Sequence, residues 1–175
     1  EYSADGYLAV TDNGRGMPVD NHPKFKDKSA LEVIMTMLHA GGKFDNNSYK
    51  VSAGLHGVGV SAGNAVSEVL KLEIKRDGKV WSQEYRQGVP VSPLVPIGET
   101  DKTGTKVTFK PDHSIFTITE FSYDLLSGRL RELSFLNAGF VITLTDEREN
   151  NRKETFEYQG GVREFIELLN KTKEP

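Results

Sequence analysis

Short stretches in which apolar and polar residues alternate predict β-strands in this chain. Two of them, residues 71–76 and 79–86, flank the pair Asp77-Gly78, and such a pair between two alternating stretches indicates a β-hairpin. The same kind of alternation between turn residues predicts further strands over 7–11, 105–110, 140–144 and 155–158.

Helical spacing of apolar residues predicts four helices, over 31–40, 58–70, 119–135 and 162–170. The first has the clearest start, because Ser29 and Glu32 form a capping box in which each side chain can accept from a backbone amide of the other. Residues 88–102 hold three of the seven prolines and are predicted to form a loop.

Hairpins mixed with four helices favour an α+β fold. We expect a two-layer sandwich, with a mixed, mainly antiparallel sheet that carries the helices on one face. The sequence contains no internal repeat and no low-complexity segment.

Composition narrows the classes of protein. The 175 residues, 37% of them hydrophobic, are enough for one core and exclude disorder along the whole chain. The absence of cysteine excludes disulfides, zinc-thiolate sites and thiol nucleophiles, and with no targeting segment it favours a cytoplasmic location. A formal net charge of −3 without a basic block predicts neither nucleic-acid nor membrane binding by this segment. Because the chain begins with Glu1 and enters a strand at once, we expect it to be part of a longer protein.

The segment Asp12-Asn13-Gly14-Arg15-Gly16 places an acid at the end of a predicted strand, followed by two glycines. A carboxylate there can accept a hydrogen bond from an amino group, and glycines let a flat ring approach the backbone. An adenine 6-amino group would fit. A local turn bond made by Asp12 is an equally good interpretation of these five residues alone.

A second glycine-rich segment, residues 54–61, leads directly into a predicted helix. Free amides at a helix start favour an anion such as a polyphosphate, although a flexible turn is the alternative. A P-loop is excluded, because Phe44 follows Gly42-Lys43 where that motif needs Ser or Thr. Residues 57–62 match G-x-G-x-x-A, but a polar loop precedes them and Asp77 lies in a hairpin turn, which argues against a dinucleotide fingerprint.

Single residues leave alternatives open. Lys43 is equally suited to a phosphate contact and to a solvated helix end, and His56 is better explained as a loop contact than as a base. Arg76 would by default be a solvated charge, and Thr105 an ordinary strand residue. Four apolar residues suit either the core or the walls of an adenine slot: Val10, Met17, Ile34 and Val107.

Four ordered segments together resemble the ATPase domain found in the B subunits of type IIA topoisomerases. They are Asp12-Asn13-Gly14-Arg15-Gly16-Met17-Pro18, Leu38-His39-Ala40-Gly41-Gly42-Lys43-Phe44, Gly54-Leu55-His56-Gly57-Val58-Gly59 and Thr103-Gly104-Thr105. Residues 129–137 add a run typical of the gyrase branch, and the resemblance extends along nearly the whole chain. It implies the GHKL (Bergerat) ATP-binding fold, with DNA gyrase as the nearer relation and topoisomerase IV as the runner-up.

The resemblance also implies roles for the matching positions. Asp12 would accept from the adenine amino group, with Gly16 and Thr105 around a bridging water. Met17, Pro18 and Ile34 would line the ring slot, and Arg15 and Arg76 would lie at the pocket mouth. A lid over the phosphates would be formed by Gly42, Lys43, Tyr49, Leu55, His56, Gly57, Val58, Gly59 and Val60.

Other groups that the resemblance implies are expected outside residues 1–175. A preceding helix would carry the general-base Glu and the Asn that holds Mg²⁺, and a following transducer domain would supply a Lys. We therefore expect a partial ATP-binding domain, lacking its first strand and helix, that cannot hydrolyse ATP alone. The whole protein is expected to be a homodimer of B subunits that acts with the gyrase A subunit and contacts DNA through other domains, without a membrane partner.

Two alternatives of other classes remain at this stage. One is a non-catalytic nucleotide-binding module of chaperone type, and the other is a dinucleotide-binding oxidoreductase, which requires a parallel sheet. The chain also departs from the topoisomerase pattern at Ala53 and at Ala62-Gly63, and Gly63 inside a helix should cost about 1 kcal/mol relative to Ala.

Overall fold

The computed structural model describes residues 1–38 and 58–171, which contain eight strands and four helices. These residues form two compact units. One is Tyr7–Thr119, and the other combines Glu1–Gly6 with Glu120–Pro175. Among these residues no helix has the length and apolar character that a membrane span requires.

Six strands form one sheet in the unit Tyr7–Thr119. They are β1 (Leu8–Thr11), β2 (Ser67–Arg76), β3 (Lys79–Arg86), β4 (Val89–Pro90), β5 (Val95–Glu99) and β6 (Gly104–Pro111). The order is β1-β6-β2-β3-β4, with β5 paired to β3, and each of these pairings is antiparallel. The predicted α+β class with a mainly antiparallel sheet is confirmed. The parallel sheet of a dinucleotide-binding oxidoreductase is not what these residues form.

The predicted hairpin at Asp77-Gly78 is confirmed. Arg76 lies opposite Lys79, so only two residues connect β2 and β3. Both have positive φ, 54° at Asp77 and 76° at Gly78, which is the backbone of a type I′ turn. This turn sets the register between β2 and β3.

Two helices accompany this sheet, α1 (Ala30–Thr36) and α2 (Gly59–Ala65). Ser29 caps α1 as predicted, since its hydroxyl accepts from the amide of Glu32 at 3.0 Å. Leu31 and Met35 of α1 are buried against one face of the sheet, in a cluster with Leu70, Leu72, Ile74 and Tyr85. α2 is tied to α1 by the side-chain amide of Asn64, which donates to the carbonyl of Met35 at 3.0 Å.

The predicted helix over 58–70 is wrong in its second half. α2 ends at Ala65, and residues 67–70 belong to β2, where they pair with β6. The period-2 pattern of Leu70, Leu72 and Ile74 buries one face of that strand, and this burial outweighs the local helical spacing. α1 likewise ends at Thr36, because Met37 has extended backbone angles. The loop predicted over 88–102 contains the short strands β4 and β5.

The other unit contains α3 (Tyr123–Leu136), β7 (Val141–Asp146), β8 (Arg152–Glu157) and α4 (Gly161–Lys171). β7 and β8 form an antiparallel pair, and Tyr123 of α3 packs with Leu144 and Phe156 of that pair. α3 begins four residues later than predicted, because Ser122 caps it by accepting from the amide of Leu125 at 3.4 Å.

A buried ion pair accompanies the attachment of the first residues to β7. The amide of Tyr2 donates to the carbonyl of Thr145 at 2.8 Å, and the guanidinium of Arg148 lies 3.7 Å from the centre of the Tyr2 ring. Asp146 is 0% exposed, and its carboxylate accepts from Arg148 Nη2 at 2.6 Å and from Nε at 2.9 Å. These hydrogen bonds hold the pKa of Asp146 below its usual value.

Gly63→Ala should stabilise the protein. Gly63 lies inside α2, its φ is not positive, and a methyl group there would meet no atom of the described residues within 4 Å other than the backbone of its own helix. We expect a gain of about 0.5–1 kcal/mol in the free energy of unfolding, measured by urea denaturation. The control is Gly78→Ala, where space is equally open but φ is 76°, so a loss of about 1–2 kcal/mol is expected. A loss at Gly63 would contradict this account of α2.

The lowered pKa of Asp146 should make the unit around it sensitive to acid. A carboxyl group with a lowered folded-state pKa stabilises the fold above its unfolded pKa of about 3.9, and this contribution disappears as pH falls through the folded-state value. Asp146→Asn should therefore be less stable at neutral pH and lose less stability below about pH 5. Urea denaturation over a pH series tests this, with the exposed Asp124→Asn as control. Equal acid slopes in the Asp146 variant and the parent would refute it.

Candidate functional site

Asp12 follows directly on β1, next to the start of β6. Its amide donates to the carbonyl of Thr105 at 2.9 Å, and the amide of Thr105 donates back to Asp12 Oδ1 at 3.2 Å. The amide of Gly14 donates to the same oxygen at 2.9 Å. Within the described ranges Oδ2 accepts no hydrogen bond, and the residue is exposed. One oxygen thus fixes the side chain, while the other remains an acceptor for a ligand.

The glycines around Asp12 are required by close backbone contacts. Gly104 has φ +148°, and a Cβ on it would lie 2.2 Å from the carbonyl oxygen of Asp12. Gly16 has φ +77°, and a Cβ on it would lie 2.7 Å from the carbonyl oxygen of Lys75. The loop that begins at Asp12 therefore lies directly on the backbones of β2 and β6, which no residue with a side chain would allow.

Arg76 is joined to this loop. Its Nη1 donates to the carbonyl of Gly16 at 3.0 Å, and its Nε lies 3.4 Å from the carboxylate of Asp77. Arg76 had the default interpretation of a solvated charge, but its side chain is only 31% exposed. It holds the loop against the end of β2, so it is a positioning residue for the site, whereas Arg15 is exposed.

An apolar surface adjoins the carboxylate on the side of the sheet that carries the core. Val10 lies opposite Val107, and Val107 lies opposite Leu72, so these three share one face. Val107 and Met17 pack against the core cluster, whereas Val10 is 57% exposed. Pro18 and Ile34 are half-buried. An exposed valine between a core and an open carboxylate is suited to contact with a flat apolar ring.

The residues expected at the phosphates are only partly described. Gly42, Lys43, Tyr49, Leu55, His56 and Gly57 lie outside the described residues. Val58, Gly59 and Val60 form the start of α2, and Val58, at the N-cap position, makes no side-chain capping bond. The N-cap residue of α2 therefore does not provide its first-turn amides with the side-chain partner that Ser29 provides for α1.

Sequence reasoning missed the role of two residues in this geometry. From the motif Thr103-Gly104-Thr105 we assigned no role to Gly104. Because Gly104 has no side chain, Asp12 can approach Thr105 closely enough for a hydrogen bond. Ile74 lies opposite Thr105 and touches the space beside Gly16. For Gly104, the only sequence signal was a glycine just before a predicted strand. The position of Ile74 depends on cross-strand register, which has no local signal in the sequence.

A separate groove of about 480 Å³ lies elsewhere in the same unit. Asp27, Glu32, Gln83 and residues 90–94 are among its lining, and Asp12 is not. It is open and of mixed polarity, and Gln83 already bonds to Tyr85 and to the carbonyl of Ser92, so the polar groups of Gln83 are satisfied. We do not assign the site to it. Among the described residues no group of three or more His, Cys, Asp or Glu side chains could hold a metal ion.

A family profile and individual relatives agree on the family to which this chain is similar. Residues 2–115 match the family profile described as "Histidine kinase-, DNA gyrase B-, and HSP90-like ATPase". The chain is 55% identical over 171 residues to the B subunit of DNA gyrase from Halalkalibacterium halodurans, covering 97% of the chain and 27% of the relative. It is 55% identical to the corresponding gyrase protein of Thermotoga maritima and 56% identical to that of Haloferax volcanii, again over 97% of the chain. The chain spans about a quarter of the length of these relatives. The resemblance inferred from the four motifs is confirmed.

Proposed function

Because the chain belongs to the family of histidine kinase-, DNA gyrase B- and HSP90-like ATPases, we propose that it is the ATP-binding part of a gyrase B protein. The observation that carries the proposal is the Asp12 carboxylate, held through Oδ1 and open at Oδ2 beside an exposed apolar wall. The fit to an adenine ring is good, since one acceptor and one flat apolar surface are what its amino edge and its face require.

Each residue near Asp12 has a proposed task. Oδ2 accepts from the adenine 6-amino group, and Thr105 and Gly16 surround the water that bridges ring and carboxylate. Val10, Met17, Pro18 and Ile34 cover the ring, and Arg76 keeps the loop in place through its bond to Gly16. Arg15 lies at the exposed mouth of the slot. In this arrangement the protein recognises the base through one fixed hydrogen bond and through shape.

The phosphate side of the proposal uses the glycine-rich segment. The first turn of α2 has no capping side chain at Val58, and the amides of Val58, Gly59 and Val60 there would suit phosphate oxygens. Gly42, Lys43, Tyr49, Leu55, His56 and Gly57 would complete a lid over the triphosphate. Lys43 would supply a positive charge there, as a compact point charge that suits a phosphate.

Magnesium and hydrolysis belong to the same proposal, but their groups do not come from the described residues. We propose that a Glu and an Asn of the longer protein hold the attacking water and Mg²⁺. When bound, Mg²⁺ would neutralise charge that develops on the phosphates. The part played by this chain would then be to bind and orient ATP.

At the level of the whole protein, we propose that ATP binding closes a gate between two gyrase B chains, and that hydrolysis reopens it. The gyrase A protein and further domains would cut and pass DNA, which gives negative supercoiling. The likeness to gyrase B proteins supports gyrase over topoisomerase IV. The equivalent chain of topoisomerase IV and a chaperone-type module without hydrolysis are outcomes of the two experiments that follow.

Asp12→Asn in the full-length protein should weaken ATP binding. The substitution replaces a charged acceptor by an amide, and we expect a loss of about 1.5–3 kcal/mol, or roughly 10- to 150-fold in Kd, by calorimetry. Asp124→Asn removes the same charge from an exposed position on α3, which contributes no residue to the candidate site, and it should bind ATP as the parent does. Unchanged affinity in the Asp12 variant would remove the assigned role of Asp12.

The full-length protein with its gyrase A partner should introduce negative supercoils into relaxed plasmid DNA when ATP is supplied. Gel electrophoresis of the plasmid measures this directly, and the Asp12→Asn protein serves as the matched control with reduced activity. Decatenation and relaxation without supercoiling would identify topoisomerase IV instead. ATP binding without turnover would favour the chaperone-type module.

A further inference from the structure

The face of the sheet opposite the core carries most of its lysines. We call it the lysine face, and it consists of the side chains of β1, β6, β2 and β3 that alternate with the buried ones. Lys71 lies opposite Thr108 on one side and Glu84 on the other, and Glu73 lies opposite Lys106, which establishes that these residues share a face. The charged members are Lys71, Glu73, Lys75, Glu84, Arg86, Lys106 and Lys110.

Positive charge on this face is in excess. Five of its seven charged residues are basic, although the whole chain has a formal net charge of −3. Arg86 pairs with Glu84 at 3.4 Å. Within residues 1–38 and 58–171, none of the four lysines forms an ion pair with a carboxylate. The remainder of this chain must therefore be acidic on balance, so the lysine face is a distinct electrostatic feature.

Two of the lysines converge on one aromatic ring. The ammonium groups of Lys71 and Lys110 each lie 5.8 Å from the centre of the Tyr7 ring. The ring attracts both cations, which holds two like charges near each other. A bound anion between them would relieve their mutual repulsion.

We propose that the lysine face binds the phosphate backbone of duplex DNA without reading its sequence. Duplex DNA carries one negative charge per about 1.7 Å of its axis, so it can engage several lysines of a flat face at once. Lys71 and Lys75 on β2, and likewise Lys106 and Lys110 on the neighbouring β6, stand four residues or about 13 Å apart, so the four charges are spread over the face and are not a single point charge.

The chemistry of this face favours DNA over an acidic polypeptide. Between the lysines stand the small residues Ala9, Ser82 and Thr108. The larger apolar groups of the face are Val80, opposite Lys75, and the Tyr7 ring, which two ammonium groups already engage, whereas protein partners usually need a buried aromatic or aliphatic anchor at the centre of the interface. Small polar residues and lysine ammoniums are instead typical of contacts with phosphates. We choose DNA among polyanions because the proposed function makes this chain part of a protein that acts on DNA, so this step rests on the proposed function. The lysine face would add to the main DNA contacts, which that function places in other parts of the protein.

Fluorescence anisotropy of a labelled short DNA duplex, titrated with the 175-residue chain without nucleotide, tests the proposal. The logarithm of the binding constant should fall with the logarithm of salt concentration with a slope between about −2 and −4. Replacing Lys71, Lys75, Lys106 and Lys110 together by Gln should weaken binding at least about tenfold near 50 mM salt and bring the slope close to zero. Circular dichroism and urea denaturation check that the variant is folded.

The matched control replaces four exposed lysines outside this face, Lys24, Lys26, Lys102 and Lys153, by Gln. It loses the same charge and should retain the affinity of the parent within about threefold, a change of less than about 1 kcal/mol. Equal loss in both variants would show an effect of net charge alone and would overturn the proposal. Absence of binding by the parent near the same salt concentration of about 50 mM would do so as well.

Two further measurements separate this proposal from its alternatives. Poly-glutamate that competes as well as duplex DNA at equal charge concentration would indicate an acidic polypeptide as the partner and would reject DNA. ATP binding by the full-length protein with the same four substitutions should be unchanged, because none of these lysines belongs to the proposed nucleotide site. If the variant with the four Gln substitutions loses DNA binding and keeps ATP binding, the result supports DNA binding by the lysine face. DNA binding by a full-length protein that does not bind ATP would refute the proposed function alone.

Discussion

The candidate site depends on one constraint, which is the direct contact between the end of β1 and the start of β6. Asp12 and Thr105 exchange backbone and side-chain hydrogen bonds there, and the contact is possible only because position 104 has no side chain. The same closeness recurs at Gly16, which lies against the carbonyl of Lys75 and is held by Arg76. The Asp12 carboxylate is thereby held in a fixed position by its hydrogen bonds to β6, although it belongs to a loop. This is what a site that recognises a base through a single hydrogen bond requires.

The two faces of the sheet have opposite physical roles because strand residues alternate. Leu70, Leu72 and Ile74 of β2 form the core with α1, and the same face continues to Val107 and Val10 beside the candidate site. Lys71, Glu73 and Lys75 point to the other side. A shift of one residue in register would exchange the two sets, so the type I′ turn at Asp77-Gly78 helps to determine both the nucleotide side and the lysine face.

Several secondary-structure elements could be predicted from their local sequence, and others could not. The hairpin turn and the cap of α1 depend on residues within four positions of each other, so their local sequence was sufficient. The boundary between α2 and β2 was wrong, because residues 67–70 satisfy a helical pattern locally and become a strand only through pairing with β6. The candidate site, too, was predicted only in part. Asp12, Gly16 and Thr105 were named from their motifs, but the attachment of Arg76 to Gly16 joins residues 60 positions apart and has no local signal.

The sequence alone therefore determined the class of fold, the family and the chemical types present at the site, because these depend on composition, periodicity and motifs that are contiguous along the chain. Only the tertiary structure decided which oxygen of Asp12 is free, why position 104 must be glycine, and that dispersed lysines share one surface. The physical reason is that antiparallel pairing brings distant residues within hydrogen-bond distance, and its register is set by the burial of a whole strand face and not by any single residue.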